Sequence, residues 1–252
     1  MVMSDNGIYI VLSAATAKML EMEVIANNLA NISTSGFKAD RVDFKELLQQ
    51  ETITANDQTP NNGSEDNAFV LGASYTKTDE QGSLSITDNP LDIALDGKGF
   101  FKVLTPGGVR YTRGGHFQAN ATGQLVTSVG HSLLDQVGNP ISLQGAKMSV
   151  SQDGIITDDS GTEIAKLAVV QLESPKGLRK EGNSYFVPND PQNTKELPIP
   201  STRVVQGTIE DSNVNATLEL TKMIEVSRTF ENLMRMLEQY RNMDRTSAKD
   251  IG

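Results

Sequence analysis

Two apolar stripes, one near each end of the chain, limit what this sequence can fold into. The first runs through Ile8, Leu12, Ala15, Met19, Met22, Ala26 and Leu29, with gaps alternating between four and three. The second runs through Met223, Val226, Phe230, Leu233, Leu237 and Tyr240, with gaps alternating between three and four. A mean spacing of about 3.5 is the narrow seam of a coiled coil, not the wider stripe of an ordinary surface helix. The spacing predicts one helix over about residues 5–33, capped by Asp5 or Asn6 and stopped by Ser33-Thr34-Ser35-Gly36. It predicts a second over about 213–246, capped by Ser212 or Asn213, with Glu219, Lys222, Glu225, Arg228, Glu231, Arg235, Glu238 and Arg241 alternating in sign on its outer faces. Two such helices cover only a narrow strip of each other. The pair is therefore expected to be unstable or disordered in the monomer and to order only against neighbouring subunits.

Between the stripes the pattern changes. Asp43–Leu48 reads as a short continuation of helix, and Thr52–Asn67, with Pro60-Asn61-Asn62-Gly63, as a polar linker. From Gly82 to Pro200, short β-branched and aromatic runs alternate with Gly, Pro, Asn and Asp. Phe100–Leu104 and Val109–Thr112 flank Thr105-Pro106-Gly107-Gly108 as a hairpin; Phe117–Ala119 and Gln124–Thr127 flank Asn120-Ala121-Thr122-Gly123; Met148–Ser151 and Ile155–Thr157 flank Gln152-Asp153-Gly154. Ile164–Leu172 reads as one longer strand. The expected fold class is α+β: N- and C-terminal helices forming a coiled-coil-like pair, with a mainly antiparallel β-domain inserted. The expected divisions are 1–35 with 213–252 as a discontinuous inner domain, 36–81 and 201–212 as linker or extended arm, and 82–200 as a β-rich outer domain. Glycines crowd the turns, and Gly107→Val is expected to destabilise the β-domain, by about 1 kcal/mol or more if φ is positive.

Composition excludes several function classes. The chain has 252 residues, no Cys, no Trp, two His and a formal charge of −10. Without Cys there is neither a disulfide framework nor thiolate chemistry. The acidic balance argues against nucleic acid, which needs clustered Lys and Arg. No apolar run reaches the roughly 20 residues of a membrane span, and no basic–apolar–small pattern marks a cleaved leader. Asp92 and Asp96, at even spacing on one strand, would share its outer face as solvated residues; Asp158-Asp159 near Glu163 lacks a calcium-loop pattern. Gly97-Lys98-Gly99 lacks phosphate-loop spacing. His116 and His131 are too poorly accompanied for a metal. Asn120-Ala121-Thr122 and Asn62-Gly63-Ser64 match a glycan acceptor pattern only where the host has that machinery. No catalytic, cofactor-binding or metal residue is expected.

The end of the first stripe carries Asn27, Asn28 and Asn31. Their amides serve either an interface or a fraying helix terminus; composition leaves both open. The run Ala26-Asn27-Asn28-Leu29-Ala30-Asn31, followed by Ser33-Thr34-Ser35-Gly36-Phe37-Lys38, closely resembles the N-terminal signature of the bacterial flagellar rod and hook family. Leu91-Asp92-Ile93-Ala94-Leu95-Asp96-Gly97-Lys98-Gly99-Phe100-Phe101 is similar to the family's motif at the start of its middle domain. Tyr111-Thr112-Arg113-Gly114-Gly115-His116-Phe117 with Gly123-Gln124-Leu125-Val126 is similar to the motif after it, and Gln206-Gly207-Thr208-Ile209-Glu210 to Val214 to the passage that leaves the β-domain. The opening Asn6-Gly7-Ile8-Tyr9, the length and the tail after Tyr240 resemble the proximal-rod branch, with the distal-rod branch next.

The resemblance implies a structural subunit that stacks helically in the basal-body rod, crosses the periplasm and transmits torque. It implies as partners other rod subunits, of its own kind and the adjacent proximal and distal ones, and the type III flagellar export apparatus, with no cleaved leader. The residues expected to form the assembly interface are Ile8, Leu12, Met19, Met22, Asn27, Asn28, Leu29, Asn31, Met223, Val226, Phe230, Leu233, Leu237 and Tyr240. The competing class is a secreted β-domain that binds or cleaves glycans.

Overall fold

The computed structural model describes residues 3–48, 69–77, 80–143, 148–172, 178–182, 184–188, 195–198 and 202–249. The polar stretch Thr52–Asn67, including the Asn62 acceptor pattern, lies outside the described residues. The fold is α+β, as expected: helix α1 (Met3–Ala30) opens the chain, helix α2 (Ala216–Lys249) closes it, and the strands between them pair antiparallel wherever their register is defined. The chain divides into two compact units, Met1–Leu29 with Asp40–Thr76 and Ala216–Gly252, and Ala30–Ala39 with Lys77–Asn215.

In the first unit α1 and α2 run antiparallel. A Cβ placed on Gly7 would lie 3.5 Å from the Tyr240 ring, and the Asn28 amide bonds Glu219. Gly7 and Asn28 are 21 residues apart on one helix, as Glu219 and Tyr240 are on the other. At about 3.5 residues per turn, 21 residues make six whole turns, so both helices return to the same face. At about 3.6 they would fall some 60° short. The equal separations keep the two contacts in register along about 32 Å of the antiparallel pair.

The helix ends correct two readings. Because α1 begins at Met3, Asp5 and Asn6 lie inside it rather than before its first turn. Because α2 begins at Ala216, the cap position falls at Asn215; Asn213 instead accepts from the Ala39 N–H at 2.7 Å, and Ser212 from the Val214 N–H at 3.3 Å. Asp43–Leu48 is not helix but part of a strand, Asp40–Leu48, paired with Phe69–Lys77.

The second unit centres on a nine-stranded sheet. Its middle is the hairpin Phe100–Thr105/Gly108–Thr112, with Leu104 opposite Val109. Alternation turns Phe101 and Val103 inward and leaves Phe100 and Lys102 partly exposed, as period-two strands require. Phe101 meets Phe117 edge-on, ring centroids 5.5 Å apart, among Ile93, Leu95, Leu125, Leu133 and Ile156. The hairpins Phe117–Ala119/Leu125–Thr127 and Ser149–Val150/Ile155–Thr157 form where the sequence places them. Ile164–Leu172 is two strands rather than one: Glu163–Lys166 pairs with Ile155–Thr157, and Val169–Leu172 with Phe100 and Phe101. Leu167 and Ala168, both buried, make the crossing between them. The strand that enters the unit, Leu84–Ile86, pairs with the one that leaves it, Thr208–Glu210.

Candidate assembly interface

In the helical unit, sequence order fixes which side chains can meet. Asn28 is 2% exposed and pins three elements. Its Oδ1 accepts from the Asp40 N–H at 2.9 Å, its Nδ2 donates to the Asp40 carbonyl at 2.9 Å, and the same Nδ2 donates to Glu219 Oε2 at 3.2 Å. Glu219, read from sequence as an outer-face charge, is only 7% exposed. It also accepts from Lys222 at 2.6 Å, so the buried carboxylate is paired on both oxygens. Of the other asparagines, Asn27 is exposed, and Asn31 is half-buried and accepts from the Thr34 hydroxyl at 3.2 Å.

The first stripe divides. Leu12 and Met19 are 49% and 52% exposed, while Val11 and Ile25 are buried. Ile8, Met22 and Leu29 are half-buried. A three–four repeat starting at Ile8 passes through either Leu12 and Met19 or Val11 and Lys18, and both routes share Ala15, Met22 and Leu29. The polar Lys18 makes the first route look apolar throughout, yet the chain buries the second. The second stripe is simpler: Val226 is buried, and Met223, Phe230, Leu233, Leu237 and Tyr240 are half-buried. Outside it, Leu218, Leu220, Ile224, Met234, Met236 and Met243 are exposed, as are Tyr9 and Ile10 on α1.

In the β-unit the signature segments meet in a buried ionic junction. Glu210, 1% exposed, accepts from Lys38, from the Gly82 N–H at 3.1 Å and from Arg113 Nη1 at 3.1 Å. Lys38 also donates to the Glu80 carbonyl at 2.7 Å, and Arg113 Nη2 to the Gly97 carbonyl at 2.6 Å. Burial pulls the Arg113 guanidinium below its ordinary value, against the pull of Glu210 the other way. Gly36, at φ +68°, donates to the Glu210 carbonyl at 2.7 Å, and a Cβ there would sit 2.3 Å from the Arg113 backbone. Only glycine fits this contact. Lys180 lies 3.9 Å over the Phe37 ring, a cation–π contact that covers the same segment.

Asp92 is a further correction. It is buried, not solvated beside the exposed Asp96. The strand begins only at Ile93, so the alternation argument does not reach it. Its carboxylate accepts from Thr87 at 2.7 Å and lies 2.7 Å from His116 Nδ1. Among the described residues no cluster of three His, Asp or Glu could hold a metal, and no helix is long and apolar enough to cross a membrane.

Three family models match the chain in order. They are the flagella basal body rod protein model over residues 8–38, the flagellar hook protein FlgE/F/G D1 domain over 94–158, and the flagellar basal body rod FlgEFG protein C-terminal model over 205–250. The chain is 31% identical to the flagellar basal-body rod protein FlgF of Caulobacter vibrioides over 250 residues, covering 98% of both. It is 34% identical to FlgF of Rhizobium meliloti over 235 residues, covering 92% of both. It is also 34% identical to the rod protein FlgG of Buchnera aphidicola subsp. Schizaphis graminum over 230 residues, 85% of this chain and 88% of the relative.

Proposed function

Because this chain belongs to the flagellar basal-body rod protein family and is a structural subunit of that rod, we propose how it serves there: as a proximal-rod subunit of the FlgF type whose paired terminal helices build the inner wall of the drive shaft. The observation that carries this is the apolar surface left uncovered on both helices, from Tyr9, Leu12 and Met19 on α1 to Leu220, Ile224 and Met236 on α2. Burying one such side chain contributes about 1.5–3 kcal/mol, so a row of them on neighbouring subunits gives a rigid, torsion-bearing contact. The proposed inner domain is 1–35 with 213–252, joined through 36–81 and 201–212 to the outer domain 82–200.

On this reading the assembly residues are Ile8, Leu12, Met19, Met22, Asn27, Asn28, Leu29, Asn31, Met223, Val226, Phe230, Leu233, Leu237 and Tyr240, in two roles. Buried members such as Asn28 and Val226 hold the helix pair together; exposed members such as Leu12 and Met19 meet the next subunit. The subunit reaches the periplasm through the flagellar export apparatus and carries out no catalysis. The test is paired. Met19→Asp with Ile224→Asp should leave the monomer's helix content and melting unchanged, yet abolish incorporation into the rod and swimming. Cells carrying that double variant that still build hook and filament would sink the proposal. The distal, FlgG-type position is separated by fractionating partial basal bodies: a proximal subunit is retained in cells that lack the distal one.

A further inference from the structure

Among the described residues between Asn120 and Thr162, one five-residue turn is built five times: Asn120–Gln124, Thr127–His131, Asp135–Asn139, Ser151–Ile155 and Asp158–Thr162. In every copy the fourth residue is Gly, at φ between +78° and +98°. In every copy that Gly N–H donates to the first residue's carbonyl, at 2.8–3.1 Å, and the first residue's N–H donates to the fifth's carbonyl, at 2.8–3.0 Å. In every copy, too, the first side chain accepts from the fifth residue's N–H: Asn120 from Gln124 at 2.9 Å, Thr127 from His131 at 3.3 Å, Asp135 from Asn139 at 2.7 Å, Ser151 from Ile155 at 3.1 Å and Asp158 from Thr162 at 2.9 Å. Three bonds close within five residues, and none needs a distant partner. One or two positions later each turn delivers an apolar side chain to the same core: Leu125, Leu133, Ile141 and Ile156 fully buried, Ile164 packed against them.

We propose that these five turns are the initiation points from which the β-unit folds, each closing on its own before any long-range strand pairing. The entropy of closing a loop grows with its length, and a turn this short closes within microseconds. By contrast, Val169 pairs with Phe101 and Tyr185 with Thr112, across the whole array. Each closed turn fixes the direction of its core residue, so the sheet assembles from oriented pieces. For a subunit that emerges from an export channel as an extended chain, the array permits refolding from purely local signals. That use rests on the export reading above; the folding claim does not.

The test is refolding of the full chain from urea with pulsed hydrogen exchange. The amides of Gln124, His131, Asn139, Ile155 and Thr162 should gain protection at least about tenfold sooner than those at the Val169–Phe101 and Tyr185–Thr112 pairings. Gly138→Ala and Gly161→Ala add a Cβ that meets nothing within 4 Å, so they act through φ alone. Each should slow folding about fivefold and change unfolding by less than about twofold. Asp135→Ala should do the same and Asp135→Asn, which keeps the acceptor, should not. Turn amides that become protected together with the long-range pairings would overturn the proposal, as would variants that only speed unfolding. Where a variant does not fold, the wild-type pulse experiment decides alone. Failure of the rod reading leaves these rates untouched, so the two outcomes are distinguishable.

Discussion

Asn28 and Glu219 lie 191 residues apart in sequence and 3.2 Å apart in space, both buried, at the end of a helix pair that closes the chain on itself. The amide answers both backbone groups of Asp40 as well as the carboxylate. Only an uncharged side chain with donor and acceptor on one planar head does this. Asn28→Ala strands a buried N–H, a carbonyl and half of a carboxylate, and should cost about 2–4 kcal/mol of helix-pair stability. Asn28→Asp should cost more, since it sets a second negative charge against Glu219. Urea denaturation followed by circular dichroism at the helix band checks both. A midpoint within error of wild type for either variant would show that the clamp is idle.

The Glu210 junction should be less forgiving. Removing one partner of a buried ion pair leaves the other charged and desolvated, at a cost of about 3–5 kcal/mol. Glu210→Gln leaves Lys38 and Arg113 without a counter-charge, and is expected to lower the β-unit's melting temperature by about 6–20 °C. Lys38→Met should be milder, because Arg113 still neutralises Glu210 and the hydrocarbon stem is kept. The order of the two melting temperatures, read by differential scanning calorimetry, is the check.

The turn between Phe100–Thr105 and Gly108–Thr112 settles which glycine matters. Gly107 has no positive φ; a Cβ there would lie 2.7 Å from the Arg110 guanidinium, whose side-chain end would have to shift, and 3.8 Å from Thr105 Oγ1. Gly108 carries φ +99°. Gly108→Ala should therefore cost about 1 kcal/mol or more while Gly107→Ala costs a few tenths. Equal losses in urea unfolding would contradict the assignment.

The seams show how much of the molecule was legible beforehand. Element order, fold class and three hairpins follow from periodicity and turn residues, because those signals are local. The facing of α1 does not, because a three–four repeat admits two routes and only the partner helix chooses between them. The same holds for Glu219 and Asp92, which composition reads as solvated and the fold buries against Asn28 and against Thr87 and His116. Their partners are non-local, so no window of sequence contains the answer. The five-fold turn was present in the sequence as a polar residue three positions before a glycine. No single sequence motif describes it, because the first residue varies among Asn, Thr, Asp and Ser, which share only an acceptor oxygen.

Asp158 ties one of those turns to pH. Its carboxylate accepts from the Ser160 hydroxyl and from the N–H groups of Thr162 and Ser160, and these bonds hold its pKa below the ordinary aspartate value. The folded group thus prefers the charged form more strongly than the unfolded one does. Its contribution to stability is full above the unfolded value, near 3.9, and is lost as the pH falls through the folded value beneath it. Protonation also turns one accepting oxygen into a donor aimed at donors. Asp158→Asn keeps an acceptor in place and cannot titrate, as Asn120 does in the first turn. Between pH 5 and pH 2 the melting temperature of wild type should therefore fall more steeply than that of Asp158→Asn, and the two curves should run parallel above about pH 5. Parallel curves throughout would mean that the Asp158 carboxylate gains nothing from its turn on folding.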